Sequence, residues 1–253
     1  MELPSVCLRA ESGPSFLGGM ARGSRTMKRE EVHARIEEIG IIPAIRVSTA
    51  EDARFAAEAV SRAGIPIVEI SMTVPGAIDV IAHLAAHAKD MIVGAGSVVD
   101  AETAQRCLAA GANFLTSDGL DVKVVELAVK ANTVVLPGAL TPTEVIAAWM
   151  AGADFVKVVP CAQVGGDSYI RAPKAMLPHV PLVAAGGVNQ QTAVNFILAG
   201  ASALGVGKEL ISKEAIRLRQ AERTRVLAQR FLGYVKTARA QMGRRTDTAV
   251  ARK

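Results

Sequence analysis

The sequence predicts an α/β fold of the (β/α)8 barrel class, with one extra helix before the first strand. The chain has 253 residues, close to the roughly 250 that a one-domain barrel of this class uses. Half of the residues are hydrophobic and only 4% are aromatic, a composition that suits closely packed strands and helices. Short apolar runs alternate with Ala-rich amphipathic segments, and this alternation indicates parallel strands joined by helices.

An Ala-Gly phrase recurs four times and marks the junctions between helices and strands. Its glycines are Gly64, Gly111, Gly152 and Gly200, spaced 47, 41 and 48 residues apart. Each phrase ends an Ala-rich segment and precedes an apolar run, which is typical of a glycine that ends a helix in the left-handed conformation. The spacing fits two strand–helix units, so that a second strand is expected between each pair of phrases.

Eight apolar runs are the predicted strands. They cover 41–46, 65–71, 91–95, 113–117, 133–138, 154–159, 181–185 and 202–207. An open doubly wound sheet is the structural alternative, but the first strand is not followed by a GxGxxG fingerprint and the units are evenly spaced.

Three regions are expected along the chain. Residues 1–26 are predicted to be a disordered or extraneous extension, 27–242 the barrel and 243–253 a basic flexible tail. Within the barrel, 27–38 is the predicted extra helix that closes the bottom, and 209–242 is the predicted terminal helical stretch.

The net charge of +5 lies at the ends of the chain. Residues 1–27 carry +1, residues 239–253 carry +4, and 28–238 are neutral. Because a polyanion-binding face needs its charge on the folded body, nucleic acid is not an expected partner. No apolar run reaches the roughly 18 residues of a membrane span, and the N-terminus does not resemble a secretory signal. Three widely spaced cysteines predict a reducing compartment, the cytoplasm.

Charged residues inside apolar strands indicate where the chemistry is expected. Arg46 ends the first predicted strand, Glu69 lies inside the second, and Lys157 lies inside the sixth among valines. Burial lowers the pKa of a lysine, and an amine with a pKa near 7–8 has about a tenth to a half of its population free to attack a carbonyl. The alternatives are a lysine whose head reaches solvent, or an interior Lys157–Glu69 salt bridge without chemistry.

Glycines after the last two strands predict an anion site. Gly186 and Gly187 follow the seventh strand, and Gly207 and Lys208 follow the eighth. Backbone N–H groups in such turns bind phosphate, and barrels of this class commonly place a phosphate there.

Seven phrases, in order and at matching spacing, give a resemblance over about 170 residues. They are PAIR (43–46), VEISMTVPGA (68–77), VGAGSV (93–98), LPGALTPTE (136–144), FVKVVP (155–160), AAGGVN (184–189) and GVG (205–207). The chain resembles the 2-keto-3-deoxy-6-phosphogluconate (KDPG) and 4-hydroxy-2-oxoglutarate (KHG) aldolase family. The resemblance implies a (β/α)8 fold, a homotrimer, and a class I aldolase with no metal or organic cofactor.

The resemblance also implies roles for individual residues. Lys157 matches the lysine that forms a Schiff base with the ketone of a 2-keto acid, and Glu69 matches the glutamate that moves protons. The expected products are pyruvate and an aldehyde, glyceraldehyde 3-phosphate or glyoxylate. The implied substrate-binding residues are Arg46, Thr73, Ser97, Asp118, Pro137, Ala185, Gly186, Gly187, Gly207 and Lys208.

Several positions depart from the family pattern. Thr73 stands where many members have a carboxylate-binding arginine, and Arg46 on the neighbouring strand is the expected replacement. Asp118 stands where proline is usual and adds a charge near the pyruvate end. Ala185 replaces a threonine that contacts substrate, and Lys208 replaces a phosphate-binding serine. Ser97 stands where threonine is usual and keeps the hydroxyl.

Two other functions remain open from the sequence alone. A phosphate-binding barrel that uses Glu69 and Asp118 as acid and base would be an isomerase or epimerase, with Lys157 only electrostatic. A barrel without turnover would serve as a ligand-binding or assembly subunit. Borohydride trapping of a pyruvate imine at Lys157 separates the lyase from the isomerase. A Lys157→Met variant with unchanged pyruvate release would support the subunit without turnover.

Overall fold

Nine parallel strands and ten α-helices alternate along the part of the chain that the computed structural model describes, residues 27–250, with side chains through residue 244. The strands are β1 (Ile41–Ile45), β2 (Ile67–Ser71), β3 (Ile92–Gly96), β4 (Phe114–Thr116), β5 (Val134–Leu136), β6 (Gly138–Ala139), β7 (Val156–Val158), β8 (Leu182–Ala185) and β9 (Ala201–Val206). The helices are α1 (Arg29–Ile39), α2 (Ala50–Arg62), α3 (Ala77–His87), α4 (Ala101–Ala109), α5 (Val122–Lys130), α6 (Pro142–Met150), α7 (Asp167–Met176), α8 (Ala193–Leu198), α9 (Lys213–Arg217) and α10 (Ala221–Val250). The predicted extension 1–26 lies outside the described residues.

The strands form a closed ring, which confirms the predicted barrel. Their order is β5-β4-β3-β2-β1-β9-β8-β7-β6, and every pair is parallel. The two ends of this order, β5 and β6, are consecutive pieces of the single strand predicted over 133–138. They are separated by Pro137, which has no N–H to donate to a ladder. The Pro137 carbonyl still accepts from the Lys157 N–H at 2.9 Å, so the chain on both sides of the break stays in the ring.

A layer of apolar side chains, most of them large, fills the lower half of the barrel. It contains Ile42, Ile67, Ile92, Phe114, Val134, Phe155, Val183 and Ala203. Val32 and Ile36 of α1 pack against this layer, so the extra helix closes the bottom as predicted. Because side chains alternate along a strand, the residues two positions further on also face the interior, nearer the carboxyl ends of the strands. Those positions include Glu69, Thr116 and Lys157.

Small residues make room for the polar layer. A Cβ at Gly94 would lie 2.2 Å from the Phe114 ring, so only glycine accommodates that ring beside β3. Gly96, two positions further along β3, lies against Glu69 in the same way. The sequence places the Phe114 ring and the interior carboxylate of Glu69 against glycines, which have no side chains.

Helices α2, α4, α5 and α6 begin at capping side chains. Thr49, Asp100, Asp121 and Thr141 each accept a hydrogen bond from a backbone N–H in the first turn of the next helix. These caps fix where the four loops that follow β1, β3, β4 and β6 end, at the carboxyl ends of the strands.

The last helix, α10, lies across α8 and α2 and buries Phe231, Val235 and Ala238. It continues to Val250, past residue 242, where the barrel was expected to end and the tail to begin. Within residues 27–250, none of the helices combines the length and the apolar character that a membrane crossing requires.

Candidate active site

A cavity of about 610 Å³ opens at the carboxyl ends of the strands. Its inner wall includes Ala44, Glu69, Lys157, Ala185 and Gly205, all of which belong to strands. Its outer wall comes from the loops after the strands and from the start of α9. The cavity lies where barrels of this class carry their active sites.

Lys157 of β7 points into this cavity, and its side chain is only 5% exposed. Val156 and Val158, on either side, belong to the apolar cluster between the strands and the helices. The Lys157 Nζ donates to Asp118 Oδ1 at 2.9 Å and to Thr116 Oγ1 at 3.3 Å. A lysine whose head reaches solvent outside the barrel is therefore excluded.

Thr116 of β4 connects Lys157 to Glu69. Its hydroxyl donates to Glu69 Oε2 at 2.9 Å while it accepts from the lysine. The other carboxylate oxygen, Glu69 Oε1, is buried and has no hydrogen-bond partner among the described residues. Lys157, Thr116 and Glu69 thus form a buried polar relay with a free acceptor at its far end.

Thr116 was not among the residues predicted from the sequence. The signal that identifies it is strand parity: Thr116 lies two residues after Phe114, which faces the barrel interior. A threonine does not stand out as a candidate functional residue in an apolar strand, whereas a lysine or a glutamate in such a strand does.

Asp118, in the loop after β4, bridges two cations. Its Oδ1 contacts Lys157, and its Oδ2 lies 3.2 Å from Arg46 Nη2 and accepts from Ser97 Oγ at 3.2 Å. Burial would raise the pKa of this carboxyl, but Lys157, Arg46 and the Ser97 hydroxyl outweigh burial and hold the pKa below its ordinary value. Asp118 is therefore an anion at neutral pH.

Most of the predicted site residues line the cavity. They are Arg46, Glu69, Asp118, Lys157, Ala185, Gly186, Gly187, Gly207 and Lys208. Thr73, Ser97 and Pro137 are not among the lining residues. The Thr73 hydroxyl bonds to Ser71, Ser97 contacts Ser71 and Asp118, and Pro137 offers its carbonyl to the Lys157 N–H.

The glycines after β8 hold the chain in a tight turn. Gly186 and Gly187 have φ of 76° and 94°, and a Cβ at Gly187 would lie 2.1 Å from that of Ala162. Lys208 after β9 and Lys213 at the start of α9 bring two exposed ammonium groups to the same cavity. Lys213 was not predicted, because nothing in its local sequence distinguishes it from other surface lysines.

The site has no cluster of metal ligands in the described part of the chain: no three His, Cys, Asp or Glu side chains come together there. What the arrangement offers is a buried primary amine, a relay to a buried carboxylate, and cationic groups around the cavity. A primary amine so placed is suited to covalent attack on a carbonyl group.

Comparisons with known proteins agree with this geometry. The family model for KDPG and KHG aldolases matches residues 32–227. A 2-dehydro-3-deoxy-6-phosphogalactonate aldolase of Escherichia coli is 30% identical over 181 residues, covering 68% of this chain and 85% of its own. A 2-dehydro-3-deoxy-phosphogluconate aldolase of Treponema pallidum is 29% identical over 162 residues, covering 64% and 77%.

A solved structure extends the comparison to the fold. The KDPG aldolase of Legionella pneumophila, with pyruvate captured at low pH as a covalent carbinolamine intermediate, aligns with a TM-score of 0.72. It is 26% identical, and the alignment covers 78% of this chain and 95% of that one. The barrel and the match over most of its length lead to one conclusion: the chain belongs to the KDPG and KHG aldolase family.

Proposed function

We propose that this protein is a class I aldolase that cleaves a 2-keto-3-deoxy sugar acid to pyruvate and an aldehyde. The observation that carries the proposal is the buried Lys157 amine, which faces the cavity and connects through Thr116 to Glu69. The substrates favoured by the family relationship are 2-dehydro-3-deoxy-6-phosphogluconate and 4-hydroxy-2-oxoglutarate. Their aldehyde products are glyceraldehyde 3-phosphate and glyoxylate.

In the proposed mechanism, the Lys157 amine attacks the ketone and forms a carbinolamine, which loses water to give an iminium ion. The iminium withdraws electrons from the C3–C4 bond while the C4 hydroxyl gives up its proton, and the aldehyde leaves. Protonation of the remaining enamine and hydrolysis release pyruvate and regenerate the amine. Each proton transfer needs a nearby acid or base, and Glu69 is the buried carboxylate next to the amine relay.

We assign the two ends of the substrate to different parts of the cavity wall, which neighbouring strands contribute. Arg46, after β1, is the proposed partner of the 2-keto acid carboxylate, because a guanidinium binds that group with two N–H donors. Gly186, Gly187, Gly207 and Lys208 are the proposed partners of a phosphate at the other end. Thr73, Ser97 and Pro137 would then act by supporting residues that touch substrate, while Ala185 would leave space beside it.

The decisive experiment is reductive trapping. Incubation with pyruvate and borohydride should add one reduced pyruvate to the protein, and peptide mass spectrometry should locate the added mass at Lys157. A Lys157→Met variant is the matched control and should gain nothing. Labelling confined to other lysines would overturn the proposal and favour an isomerase or epimerase. Pyruvate release from a panel of phosphorylated and unphosphorylated 2-keto-3-deoxy acids then identifies the substrate.

We further propose that the protein is a homotrimer of the cytoplasm. Ile146 and Met150, one turn apart on α6, are 48% and 79% exposed and form an apolar pair that we take as the candidate subunit contact. Cys107 and Cys161 are free thiols, as expected of a protein in a reducing compartment. Sedimentation equilibrium should give three times the mass of the chain, and Met150→Glu should lower it.

A further inference from the structure

Asp118 makes contacts that the proposed aldol reaction does not itself require. Its two carboxylate oxygens bind Lys157 Nζ at 2.9 Å and Arg46 Nη2 at 3.2 Å. Under the proposed function, these cations receive the ketone and the carboxylate of the same 2-keto acid. Asp118 thus bridges Lys157 and Arg46, the two cations that a substrate must contact at the same time.

We propose that Asp118 is a specificity-determining residue that competes with the carboxylate of the substrate. A 2-keto acid exchanges its own carboxylate for that of Asp118 on Arg46, and the exchange also removes Asp118 from Lys157. The amine is then released next to the ketone that it attacks. This inference rests on the proposed function, because it assigns Arg46 and Lys157 to the two ends of a 2-keto acid.

The charge balance of the site favours replacement of Asp118 by the substrate carboxylate over binding of that carboxylate beside Asp118. The amine end of the cavity holds two cations, Arg46 and Lys157, and two carboxylates, Glu69 and Asp118. Their formal charges cancel, so a third carboxylate beside them would be an uncompensated anion in a partly buried site. The other two cations of the cavity, Lys208 and Lys213, are exposed and follow β9, which lies beside β1 and across the ring from β4 and its Asp118 loop.

Release of Lys157 and Arg46 from Asp118 requires movement of the Asp118 side chain only. The Asp118–Gly119 peptide is fixed, because a Cβ at Gly138 would lie 2.3 Å from the Asp118 carbonyl carbon and the Gly138 N–H donates to the Gly119 carbonyl at 3.2 Å. Asp121 caps α5 and anchors the other end of the loop. The Asp118 side chain itself is 44% exposed, so its carboxylate can turn towards solvent and exchange protein contacts for water.

The same exchange discriminates between carbonyl compounds. A neutral ketone has no carboxylate to displace Asp118 from Arg46, so Asp118 keeps its contact with Lys157. Pyruvamide, which matches pyruvate in shape but lacks its charge, should therefore be a poor partner for the native amine. Removing the charge of Asp118 should allow pyruvamide to react with the Lys157 amine.

The test uses the full chain and borohydride trapping at pH 7.5. The pyruvate concentration that gives half-maximal labelling of Lys157 is measured for the native protein and for Asp118→Asn, Asp118→Ala and Asp90→Asn. Asp90 is an exposed carboxylate in the loop before β3, at the opposite end of the strands, so Asp90→Asn controls for net charge. Circular dichroism verifies the fold of each variant. If Asp118→Asn does not fold, the test rests on Asp118→Ala.

We expect the half-saturating pyruvate concentration to fall about fivefold or more without Asp118, the scale of one partly exposed ion pair. Labelling by pyruvamide should rise in the same variants, and Asp90→Asn should match the native protein. A folded Asp118 variant with an unchanged or higher half-saturating concentration would overturn the inference, including the case in which only the maximal labelling rate falls. Absence of any Lys157 adduct in the native protein would instead overturn the proposed function.

Discussion

Gly96 lies so close to Glu69 that a Cβ built on the glycine would be 2.1 Å from the Glu69 Oε1 atom and 2.5 Å from its Cδ. The position of the Glu69 carboxylate, the proposed acid–base group, therefore depends on glycine at position 96 of the neighbouring strand. The register pairs Glu69 with Gly94 and Ser71 with Gly96, so the glutamate extends towards the carboxyl end of the sheet and rests on Gly96.

Replacing Gly96 by alanine should displace the Glu69 carboxylate and slow turnover. Because general acid–base groups contribute about 10²–10⁴-fold and depend on their placement, we expect the rate of pyruvate release to fall by at least about 10-fold. Gly233→Ala, in α10 with open space around the new methyl group, is the matched control and should retain full activity. Native-like turnover by Gly96→Ala would show that Glu69 does not need its observed position.

Thr116→Val should break the relay between Lys157 and Glu69 without changing the volume of the side chain. Glu69 Oε2 would lose its donor, and a buried carboxylate without a partner costs about 1–3 kcal/mol of folding stability. We expect a lower melting temperature and a slower rate of imine formation with pyruvate. Thr116→Ser, which keeps the hydroxyl, should restore both; failure of serine to restore the rate would assign the effect to packing.

Lys208→Met should affect only substrates that carry a phosphate. Lys208 is an exposed cation that lines the cavity, and loss of one charge-assisted contact to phosphate raises KM by about tenfold. We expect that rise for 2-dehydro-3-deoxy-6-phosphogluconate, with KM for its unphosphorylated analogue 2-dehydro-3-deoxygluconate unchanged. Lys89→Met, in the loop after α3, serves as the control. Equal effects on both substrates would contradict the proposed phosphate site.

Cys107 and Cys161 should not react with alkylating reagents at pH 8 in the folded protein. Burial raises the pKa of both thiols to about 11, so about one molecule in a thousand carries a thiolate at that pH. Peptide mapping after brief iodoacetamide treatment should find both unmodified, and unfolding in guanidinium should expose them. Rapid labelling of native Cys161, which follows Pro160 at the edge of the cavity, would contradict its burial.

The alternation along the strands made much of the site predictable. A lysine between valines and a glutamate inside an apolar run are conspicuous, and period-two geometry places both side chains inside the barrel once the strands are identified. Gly186, Gly187 and Gly207 were predicted from their positions after the last two strands. The split of the fifth strand was not foreseen, because Pro137 interrupts the ladder by lacking an N–H and leaves the apolar pattern intact.

What the sequence by itself determined is therefore the barrel, the inward direction of Lys157 and Glu69, and the end of the barrel that holds the cavity, since all three follow from local periodicity. Only the tertiary structure decided which side chains meet. The Thr116 bridge and the contact of Asp118 with both Arg46 and Lys157 join residues 39–72 positions apart in the chain. Their distances depend on ring closure and strand register, which no local pattern encodes.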